Sequence, residues 1–305
     1  MTAESRLERL VGSGTFCVTA EVVPPRSADG EVVSAQARQL VGYADAVNVT
    51  DNPTASAHMS PVAGVALVAA AGIEPTMQLT CRDRNRLGLT ADLLGGWALG
   101  ARNLFCLTGD PVGVGDHPDA VTVNDLTVEE LVRLAAGLRE QGRFLSGAQT
   151  QDPPRYFIGV ADVPLAPSYD PARIEGKLDA GAGFVMTQIV YDVDALTAWV
   201  DLARGRGILE RAAVIIGVAP LRSSKQARFL NEKVPGVSVP ETLILALEEA
   251  GPQAPAEGAR QAVEVVRRLR EVPGIAGVHV MGMGHEEAVR TVVDGAGLLP
   301  RPAEV

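Results

Sequence analysis

Cysteine is scarce in this chain, and so is histidine. The three cysteines, Cys17, Cys81 and Cys106, are odd in number and irregularly spaced, which excludes a disulfide framework. Each lies in or at the end of an apolar run, the usual setting of a reduced, packed thiol. The four histidines, His58, His117, His279 and His285, are scattered, with no partner at zinc-ligand spacing, so no metal is expected. Positive charge is in deficit. With 27 Lys and Arg against 37 Asp and Glu, the formal charge is -10, which argues against nucleic acid as a partner. No apolar run is long and charge-free enough to span a bilayer, so no membrane partner is expected. The opening residues, MTAESRLERLVGSG, lack the basic-then-apolar pattern of a secretory signal, and a cytoplasmic location is the expectation.

What is present is apolar and regularly spaced. Of 305 residues, 47% are hydrophobic, enough for a substantial core. Eight short runs rich in Val, Ile and Phe predict strands at residues 16–22, 45–50, 76–80, 103–107, 156–161, 183–188, 213–218 and 277–281. Most are continuously apolar, as expected for strands buried on both faces. Helical periodicity fills the gaps, for example at 34–42, 90–100, 126–140, 171–181, 193–204, 240–249 and 256–269. Alternating β and α segments predict an α/β fold with a parallel sheet. Eight repeats make it a single (β/α)8 TIM-type barrel over residues 1–305, with extra helices between strands seven and eight. Residues 1–14 and 299–305 are expected to be flexible ends. An open doubly wound sheet is the alternative, but the G-x-G-x-x-G fingerprint after the first strand is missing.

In such barrels the site lies beyond the carboxyl ends of the strands. Those ends carry Glu21, Thr50, Gln78 with Thr80, Asp110, Asp162, Gln188 and Arg222; the last strand, ending at Met281, shows no polar group there. The stretch 78–111, QLTCRDRNRLGLTADLLGGWALGARNLFCLTGDP, is the densest in such residues. Glu21 sits among apolar neighbours in TAEVVPPR. Burial disfavours a charged carboxylate, so it is expected to hold its proton more tightly and to suit a general acid. Pairing with Arg26 or Arg82 would instead keep it ionised. Asp110, in LTGDP, is either a ligand for a donor-rich heterocycle or a turn cap. The loop 109–125 is either a wall of the site or a plain surface loop.

TAEVVPPR, LTCRDRNRLGL, RNLFCLTGDP, DAGAGFVMTQIVYDVDAL and APLRSSKQARFLNEKVPGVSVPE stand in the order in which similar segments occur in methylenetetrahydrofolate reductases. The chain resembles that family over roughly residues 16–298. The resemblance implies reduction of 5,10-methylenetetrahydrofolate to 5-methyltetrahydrofolate, with NADH or NADPH as hydride donor and FAD as bound cofactor. By the same resemblance, Glu21 matches the general acid and Asp110 the carboxylate that holds the pterin. Gln188 and Gln226 match substrate contacts, and Thr50, Gln78, Asp170 and Lys177 fall at positions around the flavin. Gln78 stands where a histidine is frequent, Thr108 where an arginine is, Val163 and Pro167 where a tyrosine and a histidine are, and Leu230 where an aromatic shelf is. Two other readings therefore stand beside the first. One is a flavin-free reductase with direct hydride transfer from NAD(P)H. The other is a non-catalytic folate-binding or methyl-carrier partner protein. The expected partners are a folate and a nicotinamide nucleotide, and a homo-oligomer is left open.

Overall fold

The computed structural model describes residues 4–303. Eight parallel strands close into a barrel in chain order. They are β1 (Cys17–Val22), β2 (Ala46–Val49), β3 (Pro75–Thr80), β4 (Asn103–Leu107), β5 (Phe157–Asp162), β6 (Phe184–Ile189), β7 (Ala213–Val218) and β8 (Ile275–Val280). This is the (β/α)8 TIM-type barrel that the alternation predicts. An N-terminal helix, α1 (Arg6–Gly12), precedes β1. The crossovers are α2 (Gly30–Leu40), α3 (Pro61–Ala70), α4 (Arg86–Ala98), α5 (Val128–Gln141), α6 (Pro171–Asp179) and α7 (Val193–Gly205) with the short α8 (Ile208–Arg211). Between β7 and β8 come the expected extra helices, α9 (Ser224–Lys233), α10 (Glu241–Ala250) and α11 (Ala254–Arg270); α12 (Glu286–Gly295) follows β8.

Local chemistry sets the helix starts. Asp29, Asn85, Thr127, Asp170, Asp192 and Ser223 each accept a first-turn N–H at an N-terminus. Thr127 and Glu130 form a reciprocal capping box at α5. In the strands, one set of residues faces the helices: Val18, Ala20 and Val22 of β1 lie in the outer core with Leu104, Ile158 and Ile216. The alternate set fills the barrel, where Cys17, Ala46, Phe105, Phe157, Phe184, Met186 and Ile215 pack together.

Leu7 of α1 joins that interior cluster from below, and both Leu7 and Leu10 are fully buried. Glu74 takes the Arg6 and Leu7 N–H groups at 2.7 and 3.0 Å and the Asn103 amide at 2.8 Å. Residues 6–12, expected to belong to a flexible end, thus form a helix that plugs the barrel bottom. The other end is tied as well. Arg301 pairs with Asp45 and donates to the Phe16 carbonyl at 2.9 Å. The remainder of the expected flexible ends, residues 1–3 and 304–305, lies outside the described residues. Among the described residues no helix is long and apolar enough to cross a membrane.

Candidate active site

A cavity of about 160 Å³ opens at the carboxyl ends of the strands. Its polar lining comes from Glu21 (β1), Asn48 (β2), Gln78 (β3), Asp162 (β5), Thr187 and Gln188 (β6), and His279 (β8). Phe105, Met186 and Met281 supply apolar surface. Each of these residues is carried by the barrel strands or the residues just past them, so the scaffold, rather than mobile loops, fixes their spacing.

Glu21 is 16% exposed at its side chain. Neither arginine named as a partner reaches it. Arg26 pairs with Asp116, and Arg82 forks onto Asp83 at 2.6 and 2.7 Å. The cation-capable neighbour is instead His279, whose Nε2 lies 3.8 Å from Glu21 Oε2. The imidazole is 3% exposed, and its Nδ1 is 2.9 Å from Thr19 Oγ1. Thr19 and His279 are register partners on adjacent strands, which puts their side chains side by side. The sequence reading left β8 without a polar group at the mouth; His279 corrects that. The signal was its place inside an apolar strand, G-V-H-V, where an imidazole facing the helices would have been buried among aliphatics.

Asp162 is the second carboxyl of the cavity, 9% exposed. Burial raises its pKa above the ordinary aspartate value, opposed by a hydrogen bond from the Tyr169 hydroxyl at 2.9 Å. Gln188 turns its Oε1 back to the Ile189 N–H at 3.0 Å, leaving the amide NH2 for a ligand. A register shift between β6 and β7 at this point breaks the regular ladder. The Gln78 side chain faces the cavity with no hydrogen bond to a described residue, and Asn48 Oδ1 is buried without a partner.

The structure does not bring the remaining predicted residues to this cavity. Asp110 is exposed in the loop after β4, where its carboxylate accepts the Thr54 N–H at 2.8 Å and its carbonyl accepts from Arg82 at 3.0 Å. Gln226 lies at the start of α9; its amide oxygen takes the Arg222 N–H at 2.8 Å and its NH2 meets Met283 Sδ at 3.3 Å. Thr50 is buried at the end of β2 and its hydroxyl has no partner. Asp170 caps α6 through the Ala172 N–H at 3.0 Å. Lys177 donates to the Ala161 carbonyl at 2.7 Å, and burial lowers its pKa. It lines a separate cavity of about 460 Å³ with Thr108, Asn124 and Arg173.

The charged cluster after β3 is mostly spent on itself. Arg84 forks onto Asp51 at 2.7 and 3.0 Å and reaches Asp92 at 2.8 Å. Asp51 also takes the Thr80 N–H and hydroxyl at 2.8 and 3.0 Å. This brace holds the β2 and β3 ends at fixed separation. Among the described residues no group of three or more His, Cys, Asp or Glu could hold a metal ion. All three cysteines are free and buried, and burial pushes the Cys81 thiol up to about 11.

A closed (β/α)8 barrel with carboxyls, an imidazole and carboxamides gathered at the strand ends belongs to the class that carries its site on that face. Within that class the family is defined by sequence. The family model of methylenetetrahydrofolate reductase matches residues 6–297, and the chain belongs to that family. Methylenetetrahydrofolate reductase 1 of Schizosaccharomyces pombe is 27% identical over 237 residues, 74% of this chain and 36% of that protein. The 5,10-methylenetetrahydrofolate reductase of Pectobacterium carotovorum is 26% identical over 235 residues, 75% of this chain and 72% of that protein. Against the Schizosaccharomyces pombe relative and a Caenorhabditis elegans one, the match spans less than half of the relative's length. A Clostridium thermocellum protein that binds two copies of 5-methyl-5,6,7,8-tetrahydrofolic acid has a TM-score of 0.64 at 13% identity, covering 97% of this chain and 100% of that one. At that identity the likeness is one of fold.

Proposed function

We propose that the chain reduces 5,10-methylenetetrahydrofolate to 5-methyltetrahydrofolate, with hydride passing directly from NADH or NADPH to the folate. The family match supplies the substrate class. The observation that carries the chemistry is Glu21, a largely buried acid in a cavity that it shares with the neutral carboxamides of Asn48, Gln78 and Gln188. Glu21 gives its proton to a folate nitrogen, and the five-membered methylene bridge opens to an iminium at nitrogen five. Hydride then adds to the exocyclic carbon, so one proton and one hydride are consumed per product. Gln78 and Gln188 offer amide donors and acceptors to the pterin, holding donor and acceptor carbons in reacting geometry.

FAD, the cofactor that the family resemblance implies, does not fit the residues assigned to it. Thr50 Oγ1 is an unsatisfied buried donor and Gln78 faces the cavity, but Asp170 is engaged as a helix cap. Lys177 is turned to a backbone carbonyl and lines a different cavity. The four do not converge on one cradle, and no step is routed through a flavin.

The test is turnover of protein freed of flavin by extensive dialysis. NADH or NADPH is supplied with 5,10-methylenetetrahydrofolate, and methylated folate is measured by mass spectrometry. Product without added flavin is the expected outcome. Product that appears only after adding FAD would restore the flavin route. Absence of product under both conditions would leave a folate-binding or methyl-carrier role.

A further inference from the structure

We propose that Asp162 is a further catalytic residue, a carboxylate set against the nicotinamide ring to stabilise the positive charge that the ring acquires as hydride leaves. The inference rests on direct hydride transfer, which brings the nicotinamide into the same cavity as the folate.

The reaction dictates where charge moves. The carbon–hydrogen bond of the dihydronicotinamide breaks with its electron pair, and that pair forms the new carbon–hydrogen bond of the methyl group. The folate iminium becomes a neutral amine, and the neutral dihydronicotinamide becomes a pyridinium cation. One positive charge thus passes from the folate to the nicotinamide. An anion fixed on the nicotinamide side gains attraction as the transfer proceeds, most of all between walls that hold little water.

The cavity has such a side. The strands close in chain order, so β5 with Asp162 stands across the barrel from β1 with Glu21. Beside Glu21, β2 and β3 present the carboxamides of Asn48 and Gln78, which suit a pterin rich in donors and acceptors. Around Asp162 the lining is apolar: Phe105 on β4, Ala161 on β5, Val163 just beyond it and Met186 on β6. That surface suits the flat face of a dihydronicotinamide. Of the polar groups on β6, the Thr187 hydroxyl is spent on the Gly217 N–H at 3.0 Å and the Gln188 carbonyl at 2.8 Å, and Gln188 carries no charge.

Asp162 is held ready for a cation. It is 9% exposed. Burial disfavours its charge, while the Tyr169 hydroxyl at 2.9 Å, the Val163 N–H and the Lys177 ammonium favour it. Lys177 nonetheless donates to the Ala161 carbonyl at 2.7 Å rather than to the carboxylate. The carboxylate is therefore fixed by a neutral phenol, with its charge unmatched by an ion pair to a described residue. A ring that turns cationic in the cavity matches it.

The test is a pair of dissociation constants for the oxidised and reduced forms of one nucleotide, measured by calorimetry at pH 8 on flavin-free protein. The probes are NAD+ and NADH, or NADP+ and NADPH if the protein turns over the phosphorylated donor. The two forms differ in the charge on the ring. Asp162→Asn should weaken NAD+ binding about tenfold or more and leave NADH binding within about twofold. Its kcat should fall about 10–100-fold, with KM for folate unchanged. Retained NADH binding shows that the variant is folded. Glu21→Gln, measured alongside, should keep the ratio of the two constants within about threefold of wild type, since Glu21 lies on the folate side. An Asp162→Asn protein with the wild-type ratio would overturn the inference. Equal weakening of both forms would do so too, as lost packing, and a rise in folate KM alone would place Asp162 against the pterin. Loss of the ratio in Glu21→Gln instead would move the charge to Glu21, and wild type that binds neither form would leave Asp162 no nicotinamide to face. If wild type makes methylated folate only with added FAD, the direct-transfer reading fails by itself; the paired constants need no turnover and still decide whether Asp162 faces the nicotinamide.

Discussion

Glu21 and Asp162 are the two carboxyls of the cavity, and substitution separates their roles. Glu21→Gln keeps the shape and removes the proton. Loss of a general acid typically lowers turnover about 10²–10⁴-fold, so kcat should fall by that order with folate binding and thermal stability retained. Turnover within a few-fold of wild type at saturating folate would remove Glu21 from the mechanism. Asp162 has a raised pKa in the fold, chiefly from burial. A carboxyl whose folded value exceeds its unfolded value binds its proton more tightly when folded. Stability then falls as pH rises from the ordinary aspartate range through the raised value. Asp162→Asn keeps an acceptor for Tyr169 and carries no charge to bury. It should melt higher than wild type at neutral pH, and the gain should vanish in acid, where Asp162 is neutral too. An equal gain at both pH values would show that the carboxylate's charge is not the cause.

At the scale of elements, the barrel was legible and its interior was not. Short apolar runs bounded by turn residues predict eight strands, and all eight form. In a parallel strand covered on both faces, apolar residues on the helix side mask what alternates with them. Thr19, Asn48, Thr76 and His279 are buried polar residues inside such runs, and only the closed barrel shows that they share its interior. The polar ends were legible as residue types but not as partners. Glu21, Gln78 and Gln188 reach the cavity, whereas Arg82, Arg84 and Asp51 brace one another and Asp110 holds a neighbouring loop. Two helix starts were read late: the stripe at 34–42 belongs to α2, which begins at Gly30 behind Asp29. The stripe at 90–100 belongs to α4, which begins at Arg86 behind Asn85. Packing between strands gives its own prediction. A Cβ on Gly159 of β5 would lie 2.1 Å from the Phe184 ring of β6, which packs tilted against Phe157 at 4.8 Å between centroids. Gly159→Ala should destabilise by about 1–3 kcal/mol through overpacking. The Phe184→Leu background should recover part of that in a double-mutant cycle of denaturant midpoints.

Over the whole molecule, the first and last described segments meet beneath the barrel and close the face opposite the cavity. Asp45, fully buried at its side chain, accepts the Val18 N–H at 2.8 Å and pairs with both Arg6 and Arg301. Glu74 ties the start of α1 to β4 through Asn103. Above this clasp, Leu7 fills the barrel end against Cys17, Ala46 and the phenylalanine stack. The same column of side chains supports the floor on which Phe105 and Met186 face the cavity. Leu7→Ala removes a fully buried side chain from a closed barrel that cannot collapse onto the gap, since its strands are joined all round. The expected cost is about 2–5 kcal/mol, read from denaturant unfolding. Folate affinity measured well below the melting temperature should change little, because the cavity's polar groups stand on the strands and not on α1. A loss of under about 0.5 kcal/mol would show that α1 packs loosely and that residues 6–12 behave as the flexible end the sequence suggested.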